Sequence, residues 1–163
     1  MTARAKAKSK PKTKAKVQAK AKVQAPGKPK GAFRTNIRDV PTVGGLKRKD
    51  GWVDMQVQFL LDKTSTGTDN LVLGWTRLPP GARHEAHLHR NADEFFIVLE
   101  GEGMIYTDKG QEPSVQGDVV YSPRGCYHGF NNTSDKDVLL VWGWSGAGSL
   151  ESSGYEVAPE HGK

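Results

Sequence analysis

"GARHEAHLHRNADEFFIVLEG" occupies Gly81–Gly101 and decides how the rest of the chain is read. It holds three of the chain's five histidines. His87 and His89 are two apart, so in an extended strand both imidazoles face the same side. Glu94 follows five positions after His89, beyond the polar segment "RNAD". A turn there would return the first carboxylate of the next strand to the two histidines. His128 is the remaining histidine before the C-terminal tip, where His161 lies. Nitrogen and oxygen donors of this kind suit Fe(II), Mn(II), Ni(II), Zn(II) or Cu(II). A bare His-x-His is also compatible with hydrogen-bonded histidines beside an unrelated glutamate.

Outward from this stretch, apolar residues come in short alternating runs separated by Gly and Pro, the pattern of an all-β domain. "WVDMQVQFLL" (Trp52–Leu61) alternates, with Val53, Met55, Val57 and Phe59 on one face. "DKTSTGTDN" reads as a turn, "LVLGWTRL" (Leu71–Leu78) as the return strand, and "PPG" as its end. "EFFIVLEG", "MIYTDKGQEPSV", "DVVYSPRG", "CYHGFNN" and "DVLLVWGWSG" supply further strands and turns. No stretch carries a long helical apolar period, so a sandwich or small barrel is expected.

The glycines and prolines sharpen the reading. The first stretch runs glycine, five residues, His-x-His, four residues, Glu, six residues, glycine. A second, Gly117–Asn132, runs glycine, five residues, Pro123, one residue, Gly125, two residues, His128, three residues, asparagine. Fifteen residues, 102–116, separate the two. Together these segments resemble the two conserved motifs of the cupin superfamily, and the resemblance extends over most of residues 50–145. It implies an antiparallel jelly-roll barrel of six to eight strands with a divalent transition metal in its mouth. By position, the implied ligands are His87, His89, Glu94 and His128. Iron(II) is the first expectation for the metal.

Strand parity proposes a pocket. If His128 points inward, Cys126 and Phe130 share its face; if Glu94 does, Phe96 and Val98 follow. Trp142 and Trp144 share a face of the last strand. Phe96, Phe130 and Trp142 would make an apolar lining, with Tyr106 and Arg77 as polar candidates. His84 occupies no motif position and reads as a surface residue.

Charge divides the chain. Residues 1–30 hold ten Lys, one Arg and no acid, a net +11, whereas residues 31–163 carry a net −5. The basic pI therefore belongs to a Lys/Ala-rich tail, read as disordered over residues 1–32, and not to the single domain expected over 33–163. Such a tail is a solvated arm or a loose, non-specific contact for nucleic acid. The one cysteine permits no internal disulfide. With no secretory or spanning stretch in sight, a cytoplasmic protein with no membrane partner is expected. The segment Phe33–Leu46 needs cover for Phe33, Ile37, Val40, Val43 and Leu46, and a homodimer formed through this arm and the sheet edges is expected. Two functions compete: a metal-dependent enzyme on a small molecule (a dioxygenase, or a lyase or isomerase), and a non-catalytic binding or sensing barrel.

Overall fold

The computed structural model describes residues 31–159. Residues 1–30 of the tail assigned to 1–32, and His161, lie outside the described residues.

Alternation drives the architecture. Residues at odd and even positions of each strand face opposite sides, and two sheets bury their apolar faces against each other. The strands are β1 (Trp52–Val53), β2 (Gln56–Leu61), β3 (Leu71–Leu78), β4 (Arg83–His89), β5 (Asp93–Glu100), β6 (Glu102–Thr107), β7 (Gly110–Val115), β8 (Val119–Ser122), β9 (His128–Asn131), β10 (Val138–Ser145) and β11 (Tyr155–Val157). One sheet runs β1-β4-β9-β6-β7, with β11 also pairing β4; the other runs β2-β3-β10-β5-β8. All pairings are antiparallel. This is the expected all-β jelly roll, with eleven strands among the described residues where six to eight were expected. Its core includes Val57, Val72, Leu78, Val98, Val138 and Trp144, each at most 2% exposed.

Three details depart from the expected layout. The run Trp52–Leu61 is not one strand. Asp54 takes a left-handed φ of 55°, so Trp52 and Val53 pair in the first sheet while Gln56–Leu61 pairs in the second. Asp is among the few side-chain-bearing residues that tolerate this conformation. The turn after β2 contains a short helix, α1 (Lys63–Thr66), because the Asp62 carboxylate accepts from the Ser65 amide and caps it. Finally, the C-terminal segment contributes a helix, α2 (Leu150–Ser153), and β11, which covers the histidine-bearing end of β4. No helix among the described residues is long and apolar enough to cross a membrane.

Candidate metal centre

His87 and His89 project from β4, His128 from the start of β9 and Glu94 from β5. The first three belong to one sheet and Glu94 to the other, so the cluster bridges the barrel interior. His87 pairs directly with His128 across the β4–β9 ladder. All four residues are buried, and one ligand atom from each lies within 4.8 Å of the others.

The imidazole tautomers follow from hydrogen bonding. His87 Nδ1–H donates to the Glu85 carbonyl at 2.8 Å, and His128 Nδ1–H to the Cys126 carbonyl at 3.0 Å. A carbonyl only accepts, so in both rings the proton sits on Nδ1. His89 Nδ1 meets Ser153 Oγ at 2.8 Å, while Ser153 Oγ–H donates to the Leu150 carbonyl at 2.7 Å. The hydroxyl proton is thus spent, and His89 must donate. In each ring the Nε2 lone pair is left bare. These three buried Nε2 atoms have no hydrogen-bond partner.

They converge on Glu94 Oε2, which lies 2.7 Å from His89 Nε2, 3.1 Å from His128 Nε2 and 3.9 Å from His87 Nε2. These approaches are close but not aligned as hydrogen bonds. Trp144 Nε1–H donates to the same oxygen at 2.7 Å and fixes the carboxylate. A buried polar atom without a partner costs about 1–3 kcal/mol, so three together are expensive unless something is bound. Three imidazole lone pairs and one carboxylate oxygen fit a divalent transition metal, with the Nδ1 bonds as the outer support such ligands need.

Electrostatics agree with a crowded, dry site. Burial pushes His87 down to about 4. Burial would raise Glu94, but the facing imidazoles, His128 foremost, hold its carboxyl well below the usual range. His128 is raised: burial opposes protonation, yet the Glu94 carboxylate outweighs it.

Beside the cluster lies a cavity of about 30 Å³ lined mainly by apolar side chains. Phe96, Phe130 and Trp142 all line it, together with Trp52, Leu78 and Leu140. Trp142 Nε1–H donates to Thr76 Oγ1 at 2.8 Å, and its indole lies where a side chain on Gly74 would collide. At this size the cavity accommodates about two waters.

Four expectations change. Tyr106 does not line this cavity. Gly103 and Ile105 are the buried positions of β6, so Tyr106 has the opposite parity and lies in a separate recess with Arg83 and Gln111. Arg77 points outward between the buried Thr76 and Leu78 and pairs with Asp137. Cys126 is exposed, because it sits in the turn before β9 where strand parity does not apply. His84 is no surface residue. The register of β4 against β9 shifts between His84 and His87, which turns both rings inward. Its ring stacks on His87 with centroids 3.8 Å apart and lies tilted against Trp52 at 4.1 Å. Tyr155 OH donates to the Asp50 carbonyl and accepts from His84 Nε2–H at 3.1 Å.

Sequence reasoning missed His84, Ser153 and the Trp144–Glu94 bond. Only Trp144 had a visible signal, its shared parity with Trp142.

The cupin domain family matches residues 74–144. An uncharacterized protein of Aquifex aeolicus is 30% identical over 105 residues, covering 64% of this chain and 80% of that protein. An oxalate-binding protein of Thermotoga maritima is 27% identical over 93 residues, covering 57% of this chain and 77% of that protein. Among solved structures, the polyketide cyclase RemF of Streptomyces resistomycificus superposes with a TM-score of 0.60 at 24% identity, covering 71% of this chain and 80% of that one. At this identity the structural likeness is one of fold.

Proposed function

We propose that this chain, which belongs to the cupin superfamily, is a metal-dependent enzyme acting on a small molecule with an apolar body and one anionic or enolisable oxygen. The observation that carries the reading is the set of three bare Nε2 lone pairs facing Glu94 Oε2 at the edge of an apolar cavity. When bound there, a divalent metal would supply Lewis acidity and, as iron(II), a place for dioxygen chemistry.

The protein's own residues determine which substrate fits. Three neutral imidazoles and one carboxylate leave a divalent ion with one uncompensated positive charge, which a single anionic oxygen would neutralise. Among the described lining residues there is no Arg or Lys to receive a second carboxylate. The Thr76 hydroxyl accepts from Trp142 and keeps its own proton to donate inward. Phe96, Phe130, Trp142 and Leu140 exclude water and favour a planar or aliphatic body. Diketones and dihydroxy-aromatics satisfy these chemical demands better than a small dianion, and being larger than two waters they would enter only as the lining side chains move apart. Oxidative cleavage is the reaction we place first, ahead of a lyase or isomerase reaction.

A second reading, non-catalytic binding or sensing, is supported by the small cavity and by the name of the Thermotoga maritima relative. The two separate in one experiment. Purified protein is analysed for metal, reconstituted with Fe(II), and screened for O₂ uptake with diketones, dihydroxy-aromatics and small acids. Substrate-dependent uptake that disappears in Glu94→Ala supports the enzyme. Tight binding of one of these compounds without turnover supports the sensor.

A further inference from the structure

Between the segment that precedes β1 and the C-terminal cover lies a groove of about 480 Å³. Leu46, Trp52, Leu150 and Tyr155 line it, and the exposed Lys47, Lys49 and Asp50 stand along it. Its size suits a small organic molecule, for which sites of about 300–1,000 Å³ are usual. The metal cavity, at about 30 Å³, is too small for one. Trp52 lines both spaces. It stacks on Tyr155 with centroids 5.4 Å apart, and the Tyr155 ring lies 5.0 Å from that of His87 and 5.6 Å from that of His89. The groove is thus one aromatic layer away from the candidate ligands.

The turn that carries the lysines is fixed in place. Arg48–Asp50 forms a single helical turn closed by Gly51, whose φ of 85° is left-handed. A side chain at Gly51 would strike Tyr155 Oη, so glycine lets the turn lie this close to β11. Tyr155 OH donates to the Asp50 carbonyl at 2.8 Å, and the Gly51 carbonyl accepts from the Glu85 amide on β4 at 2.9 Å. Arg48 is paired with Asp54, whereas the ammonium groups of Lys47 and Lys49 have no carboxylate partner among the described residues. Two lysines and one carboxylate give the lining a net charge of +1. That matches a single carboxylate better than a phosphate monoester, which carries about −1.5 to −2 near pH 7. The same sign repels the chain's own Lys-rich tail.

We propose that this groove binds a monocarboxylate with an apolar body, its head on Lys47 and Lys49 and its body over Leu46, Trp52 and Leu150. The proposal rests on the metal-enzyme reading in one respect: the ligand is then the substrate, and its far end carries the oxygen destined for the metal cavity. The carboxylate stays outside that cavity, whose described lining offers no Arg or Lys to receive it. Trp52, 5% exposed, is the wall common to both spaces, so its movement would join them.

The test is calorimetry on the full chain, metal-free and metal-loaded, with phenylpropionate, its neutral amide and phenyl phosphate as probes. Phenylpropionate should bind both forms of the protein, and the amide about tenfold more weakly. Lys47→Gln combined with Lys49→Gln should weaken binding of the acid by about tenfold, the scale of two exposed charge contacts. Binding of the amide and the metal content should not change, since both lysines are exposed and lie outside the metal cluster. Nuclear Overhauser contacts from the phenyl ring to the Leu46 and Leu150 methyl groups should place the probe in the groove. No binding of the acid at millimolar concentration, binding that requires the metal, binding that the lysine substitutions leave unchanged, or tighter binding of phenyl phosphate would each overturn the proposal. A chain that takes up no metal yet binds the acid through these lysines would overturn the enzyme reading and uphold the groove.

Discussion

His89 Nδ1 and Ser153 Oγ are 2.8 Å apart, although 64 residues separate them in the chain. The Ser153 hydroxyl proton is committed to the Leu150 carbonyl, so the serine accepts and the imidazole presents its Nε2 lone pair to Glu94. A serine on a short C-terminal helix therefore sets the tautomer of a candidate ligand. Ser153→Ala should weaken metal binding by about 10–100-fold, the usual effect of removing an outer-shell partner. A competition titration against a chelator reads this directly. The far-UV circular dichroism should stay unchanged, since the alanine keeps the helix and loses one hydroxyl.

His89→Ala should abolish stoichiometric metal binding and leave the barrel folded. The sheets are held by strand pairing and by the apolar core, and neither needs an ion. Truncating His89 also removes one of three partnerless buried nitrogens, which lowers the cost of burying the cluster. Metal analysis and thermal unfolding of the same sample check both parts. Unfolding of the variant would make the metal a structural element.

The metal-free protein should lose stability as pH falls from about 6.5 to about 4. His87 drops from 6.5 to about 4 because it is buried. Its folded value lies below its unfolded one, so the unfolded chain takes up the proton first and the contribution present above pH 6.5 is lost on acidification. His84 shifts the same way, chiefly through burial. His128 is raised and works in the opposite sense: its contribution is present below 6.5 and is lost as pH rises through the folded value. The slope for one proton is about 1.4 kcal/mol per pH unit. Denaturant melts of metal-free wild type and His87→Gln across this window should show the smaller loss in the variant.

Much of this was legible in the sequence because it is local. The i, i+2 spacing of His87 and His89 places both rings on one face, and a short polar turn returns Glu94 to them. The inward parity of Phe96, Phe130 and Trp142 likewise follows from their neighbours. What escaped depends on pairing between distant segments. His84 faces inward because β4 shifts its register against β9, where Gly129 lies so close that a side chain there would strike the His84 and Glu85 carbonyls. Ser153 reaches His89 only because α2 and β11 fold back over β4. Cys126 was misplaced because parity was counted through a turn, and Tyr106 because it was chosen for its polar group, with no register to say which face of β6 it takes. The break at Asp54 was hidden because the apolar alternation continues through it.

Deleting residues 1–30 should leave metal loading intact, since every candidate ligand lies after Gly81. The same deletion should abolish any retention on DNA, because it removes a net +11 and leaves −5. Retention by the full chain should fall steeply with salt, as binding through phosphates does. Filter binding at two salt concentrations, on both forms, checks this. Equal retention by the shortened protein would place the basic function in the barrel.

The central claim is that His87, His89, Glu94 and His128 hold one metal ion together. X-ray absorption of the full chain loaded with a single equivalent of Fe(II) tests it most directly. The account predicts multiple-scattering features of three imidazoles and a first shell of nitrogen and oxygen at about 2.0–2.2 Å. The imidazole signal should fall to two in His128→Ala. A shell of oxygen alone, or an imidazole count that the His128 substitution leaves unchanged, would contradict it.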